Sequence, residues 1–308
     1  MIYIMIKFNN VTKIFKSDLL TQPFTALNDV SFEIPTGSMV GFLGANGAGK
    51  TTSLKIIMDF IRPTKGDVLF SPVLGKNKME VFKNIGFLPE RPYFYPTLTG
   101  HDFLNFMGRL SGLSNKEIDF EINRWAPIFK IDHALSRELK TYSKGMLQRI
   151  GFMTTILHQP QMIILDEPLS GLDPIGRKEL KDVIVQVHKE GKTVFFSSHI
   201  VPDIEEICDR VIFVKEGKLV YDGSVFSLMK SAKAQDFNIS AHIPTNLPFK
   251  TKIKQVIDLP DNLKRFIVAA EDKDALLSEL MSFNVNITSL EMQKNSLEEI
   301  FYRSKGSV

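Results

Sequence analysis

A single cysteine, Cys208, in 308 residues excludes a disulfide framework. Its expected place is as a small buried hydrophobe on a helix, in a chain suited to a reducing cytosol. No apolar run approaches the roughly 20 residues that a bilayer-spanning helix needs, so the chain is expected to be soluble by itself. The opening MIYIMIKFNN has no basic stretch ahead of its apolar residues and reads as a first strand rather than a signal peptide, with Met5 an alternative start. Net charge is scarce too. The 38 Lys and Arg against 35 Asp and Glu leave +3, too little to imply nucleic acid, and a pI near 8.7 only permits an anionic partner or membrane surface. No repeat or low-complexity tract interrupts the chain.

What is there suffices for one large domain and a smaller one: 44% hydrophobic and 24% charged residues. Alternation and β-branched runs predict strands at Ile4–Phe8, Val30–Ile34 and Met39–Leu43. The last runs into a glycine-rich loop and then TTSLKIIMDFI, apolar at helical spacing. Residues 97–158 read as mostly helical, with HDFLNFMGRL amphipathic and Ser114 to Glu117 a capping box. From Met162, strands MIILD, TVFFSS and VIFVKEG alternate with helices GRKELKDVIVQVHKE and DIEEICD. That alternation predicts a mostly parallel α/β sheet with helices on both faces. KEGK at 215–218 reads as a hairpin turn. After Lys230 and the polar joint SAKAQ, the pattern predicts a small α+β unit of four strands and a helix, closed by SLEEIFYRS.

The loop from Gly44 to Thr51 fits G-x-x-x-x-G-K-[ST] in its required strand–loop–helix context. Gly44, Asn46, Gly47, Ala48 and Gly49 supply a backbone whose N–H groups can face phosphate oxygens, and the following helix adds its positive end. Lys50 is placed to reach the β- and γ-phosphates and Thr51 to ligate Mg²⁺. QMIILDEP sets Asp166 and Glu167 at the C-terminal end of a buried strand, the edge where α/β sheets bind ligands. Asp166 suits a magnesium ion held through water, and Glu167 an attacking water. TVFFSSHI brings His199 to the same edge. Alone, a histidine at a strand end is usually structural; after two nucleotide motifs it becomes a candidate γ-phosphate or water contact. The stretch TYSKGMLQR starts a helix awkwardly. Ser143 is a good N-cap, but Gly145 in the first turn costs about 1 kcal/mol relative to alanine, and Lys144 opposes the helix dipole.

In this order, GANGAGKTT, YSKGM, LDEP, SGLDP and SSHI resemble the ATP-binding subunit of an ABC transporter, over about residues 5–230. The resemblance implies an α/β P-loop NTPase core of the ABC type in a domain spanning 1–230, with a helical subdomain at about 97–158. Residues 236–308 resemble the small extension on ATPases of exporters for drugs, lipids or polysaccharides. The family pattern implies two subunits, identical or paralogous, facing head to tail. ATP and Mg²⁺ then lie between one Walker loop, Gly44 to Thr52, and the partner's Ser143 and Gly145, with Asp173 crossing the interface. It implies Phe15 as the aromatic on adenine, where bare pattern equally allows a core aromatic. Glu90 stands where the family usually has glutamine; a carboxylate also ligates Mg²⁺, while adding negative charge beside the phosphates. Tyr93, Phe94 and Tyr95 either line a groove for a membrane-domain helix or pack in the ordinary way. A multi-span permease at the cytoplasmic face of the membrane is the implied partner, and no nucleic acid is expected. Two other readings stay open. One is a non-transport ABC ATPase on nucleic acid or ribosomes, opposed by the single cassette and the lack of room for a coiled coil. The other is a regulatory subunit that binds ATP with little turnover, opposed by the presence of Glu167.

Overall fold

A computed structural model describes residues 3–16, 22–231, 236–243 and 247–292. The chain divides into two compact units, Met1–Val225 and Phe226–Val308. The first begins with strands β1 (Ile4–Phe15) and β2 (Phe24–Pro35), then β3 (Met39–Leu43), α1 (Lys50–Ile57), β4 (Lys65–Phe70), α2 (Lys78–Lys83) and β5 (Ile85–Leu88). Three helices follow, α3 (Gly100–Leu110), α4 (Asn115–Ile128) and α5 (Lys144–Ile156). The chain continues through β6 (Met162–Leu165), α6 (Pro174–Lys189), β7 (Thr193–Ser198), α7 (Val201–Ile207), β8 (Arg210–Lys215) and β9 (Lys218–Ser224), and α8 (Val225–Ser231) comes next.

Six strands form one sheet in the order β5-β6-β7-β3-β8-β9, parallel except for β9. β3, β6 and β7 are buried at every position, as strands of a parallel sheet covered on both faces are, and in β7 this includes the hydroxyl residues Thr193, Ser197 and Ser198. Their C-terminal ends share one edge. That edge therefore receives the loop after Leu43, the acids after Leu165 and the histidine after Ser198. The expected hairpin joins β8 to β9 through Glu216 and Gly217, both at positive φ (50° and 73°).

The first strands do not join this sheet. β1 and β2 run far past the expected ends and pair with β4 in a separate antiparallel sheet, ordered β2-β1-β4. The reason lies in their burial. Along β2 the inner residues Val30, Phe32 and Ile34 alternate with more exposed ones, the mark of a sheet with one wet face. Phe8 stacks on Phe32 with centroids 4.6 Å apart, and Phe32 continues to Phe42 at 5.5 Å, so the two sheets share one core.

Among the helices, Ser114 and Glu117 make the expected reciprocal capping box at the start of α4. Phe94 packs on Phe103 in the helical region, while Tyr93 and Tyr95 stay exposed. Cys208 sits just past the end of α7 rather than within a helix; it is buried, and burial pushes its thiol pKa well up. No helix among the described residues is long and apolar enough to cross a membrane.

The second unit has β10 (Asp236–His242), β11 (Gln255–Asp258), β12 (Leu263–Ala269), α9 (Lys273–Ser282) and β13 (Asn286–Met292). Its antiparallel sheet is ordered β11-β12-β10-β13, and Leu276 and Leu280 of α9 bury against Ile239, Phe266 and Val268. These are the four strands and one helix the pattern predicts. The joint at 232–235 and the closing SLEEIFYRS lie outside the described residues.

Candidate functional site

The site starts with an uncapped helix. Gly49 precedes α1 at φ 106°, no side chain caps the first turn, and no acidic residue stands in it. Its first N–H groups are therefore left for an anion. Only glycine serves at this position, because a Cβ would lie 2.8 Å from the Ala26 carbonyl oxygen at a φ that other residues avoid. Lys50 is buried. Its ammonium donates to the carbonyl oxygens of Gly44 (2.6 Å) and Ala45 (3.3 Å) and faces Glu167 Oε1 at 3.2 Å.

The carboxylates come from the turn after β6. Asp166 is almost fully buried, and its Oδ1 accepts a 2.6 Å hydrogen bond from the Ser197 hydroxyl. Burial raises its carboxyl above the usual carboxylate range; hydrogen bonds from Ser197 and Thr51 partly offset this, and the charges of Glu167 and Glu90 add to it. Glu167 takes a left-handed backbone conformation at φ 49°, a strain of about 1 kcal/mol for a residue with a side chain. Its N–H donates to Ser197 Oγ (2.8 Å), and its Oε2 lies 2.9 Å from His199 Nδ1. The buried Oε1 accepts no aligned hydrogen bond and meets only the Lys50 charge.

Together these groups enclose a cleft. Asn46, Gly47, Gly49, Lys50, Thr51, Thr52, Glu90, Glu167 and His199 line it, joined by Ser170 and Phe24. Gly44 and Asp166 stand directly behind it, through Lys50 and Thr51, and Ala48 lies within the loop. A Thr51 hydroxyl beside the Asp166 and Glu90 carboxylates is an all-oxygen donor set, suited to Mg²⁺, which favours a few carboxylates completed by phosphate and water. Among the described residues no group of three or more His, Cys, Asp or Glu could hold a metal unaided.

Phe24 was not singled out in the sequence. It begins β2 opposite Phe15, is 60% exposed and lines the cleft. Phe15 does not line the cleft; it is 40% exposed, with the Lys13 ammonium 5.0 Å from its ring centre. An exposed aromatic right after a proline, Pro23, was the available signal.

Ser143, Gly145 and Asp173 are not brought into the cleft of their own chain. Ser143 caps α5 by accepting from the Met146 N–H at 3.2 Å, which leaves its own proton free to donate. A Cβ on Gly145 would meet nothing closer than Leu172 Cδ2 at 3.6 Å. Lys144 lies along Gly171, where any side chain would collide with its ammonium. Asp173 caps α6 by accepting from the Gly176 N–H at 3.0 Å. Gln148 of α5 donates to the Pro168 carbonyl (2.8 Å), tying this helix to the turn that carries Glu167.

The pattern of the ABC transporter family matches residues 27–170. An ABC transporter ATP-binding protein of Synechocystis is 32% identical over 299 residues, covering 95% of this chain and 82% of that one. The bacitracin transport ATP-binding protein BcrA of Bacillus licheniformis is 35% identical over 239 residues, covering 77% and 75%. The ATP-binding cassette MJ0796, solved as a dimer bound to ADP and Pi, shares the fold with a TM-score of 0.64 at 23% identity, over 72% of this chain and 99% of that one.

Proposed function

Because this chain belongs to the ABC transporter ATP-binding proteins, we propose that it is the ATP-hydrolysing subunit of an exporter, working as a two-chain engine on a separate membrane permease. The observation that carries this is the convergence of Lys50, Glu167 and His199 on the uncapped start of α1.

The phosphates of ATP bind the loop N–H groups, and Lys50 gives up its carbonyl contacts for them. Thr51 and Asp166, with Glu90 alongside, would hold Mg²⁺, which when bound neutralises phosphate charge. Glu167 accepts a proton from the attacking water, and His199 orients it through Nδ1. Phe24 takes the adenine ring from the cleft wall, with Phe15 beside it as its cross-strand partner. Ser143 and Gly145 of a second copy or paralogue, with Asp173 at the interface, complete the phosphate end from across a dimer, and hydrolysis reopens it.

Tyr93 and Tyr95 meet edge to face at 5.5 Å, and Tyr95 meets Phe106 at the same distance. All three are exposed, which supports a groove for a helix of the membrane partner. The name of the bacitracin relative supports transport over work on nucleic acid. Residues 236–308 form the exporter-type extension in this reading, and the complex lies at the cytoplasmic face of the membrane. Two measurements test it. ATP turnover should be abolished by Glu167→Gln, and the chain should co-purify from detergent extracts with a multi-span protein. Turnover indifferent to Glu167→Gln removes the catalytic assignment, and purely soluble partners remove the transport assignment.

A further inference from the structure

The segment SSHI holds two serines, and they do different work. Ser198 serves the turn into α7: its Oγ accepts from the Ile200 N–H at 3.0 Å. Ser197 is fully buried and faces the acids. It stands two residues before His199, which follows the end of β7. Both touch Glu167, Ser197 at the main chain and His199 at the carboxylate.

The proton inventory at Ser197 is determined by its neighbours. The Glu167 N–H can only donate, so Ser197 Oγ accepts there, and its one hydrogen is left for Asp166 Oδ1. This single hydroxyl therefore bridges the metal-side carboxylate and the backbone of the residue that carries the base. Glu167 needs such a hold because its left-handed backbone is strained.

We propose that Ser197 is a positioning residue for ATP hydrolysis, locking Asp166 and Glu167 in a fixed relation so that cation and attacking water stay aligned. The proposal rests on the catalytic reading above. Ser197 does not line the cleft; it acts through its two neighbours.

The test uses the full chain with Ser197→Ala, Ser197→Cys and Ser197→Thr beside Glu167→Gln. Cysteine keeps nearly the shape of serine but bonds weakly, and threonine keeps the hydroxyl. Turnover, KM for MgATP, melting temperature and the affinity for a fluorescent ATP analogue without Mg²⁺ are measured. Alanine and cysteine should each lower kcat by about 10–100-fold, the loss of a hydrogen bond to a charged group. KM, metal-free affinity and melting temperature should stay within about twofold or a few degrees, and threonine should restore kcat to within about threefold. If parent turnover resists Glu167→Gln, the catalytic reading falls and this inference with it. If parent turnover needs Glu167 but the alanine variant keeps its kcat, the inference alone falls. It also falls if cysteine matches the parent while alanine does not, which would show a packing role. A parallel loss of kcat, metal-free affinity and melting temperature overturns it as well.

Discussion

Gly49 stands at the start of α1 and Gly145 in the first turn of α5, and the two helices begin differently. At α1, Gly49 is demanded by its own chain, through its φ of 106° and the Ala26 carbonyl against which a Cβ would press. At α5, Gly145 has neither reason. It is helical, and a methyl group there would meet only Leu172 and the Ser143 hydroxyl oxygen, both at ordinary contact distance. A first-turn glycine that lowers helix stability and fills no intrachain need points to something outside the chain that approaches the backbone closely. The α1 start is also self-furnished with Lys50, Asp166, Glu167 and His199, whereas the α5 start offers a free hydroxyl proton on Ser143 and little else. In the proposed function, one start is a site for a ligand and the other is half a site that a second chain completes.

The strongest break in this comparison is Glu167→Gln. It should lower turnover by about 1,000-fold while leaving ATP affinity within a few fold, since it removes a proton acceptor and keeps the shape. Single-turnover hydrolysis alongside nucleotide titration checks it. Next comes Gly145→Asp, which sets a carboxylate where a partner's phosphate should approach. Turnover should fall by about 100-fold and ATP-driven dimerisation should vanish in scattering measurements, with ATP affinity of the monomer and melting temperature unchanged. The matching change at the other start, Gly49→Ala, should strike the fold itself. A destabilisation of about 2 kcal/mol, read in denaturant unfolding, is expected from the strained φ and the crowded Cβ. If Gly145→Asp instead unfolds the chain, or Gly49→Ala leaves stability untouched, the distinction between the two glycines fails.

Elements were legible in proportion to how plainly they declared their burial. β3 and β6 are apolar runs, β7 is apolar through Val194, Phe195 and Phe196, and β10 alternates Phe237, Ile239 and Ala241 with polar residues, so these could be read. β4 is an edge strand with mostly exposed residues, and β5 has only four, so neither stood out among loops. Strands at β1 and β2 were expected, but not their pairing with β4 in a separate antiparallel sheet, because alternation tells that one face is wet but not which strand lies next door. In the site, the positions at strand ends converge because parallel strands share an edge, and chain order already indicated that edge. Ser197 gave no signal, since a serine inside TVFFSS looks like filler until β6 and β7 are laid side by side. Phe24 gave little, because its place depends on the register of a hairpin.

That register yields the smallest effect. Phe15 and Phe24 are cross-strand partners, both well exposed, and only Phe24 reaches the cleft. An aromatic ring at the rim offers a nucleobase a flat apolar surface without hydrogen bonds, so it should bind bases with little discrimination. Phe24→Ala should therefore weaken ATP and GTP alike by about fivefold, with kcat at saturation unchanged. Phe15→Ala should do less, as its ring does not line the cleft. Titration of both nucleotides against both variants decides the matter. A larger loss at Phe15 than at Phe24 would show that the ring seats on the strand end farther from the cleft and that the hairpin moves when nucleotide binds. A loss for ATP alone would show hydrogen bonding to adenine that neither phenylalanine can supply.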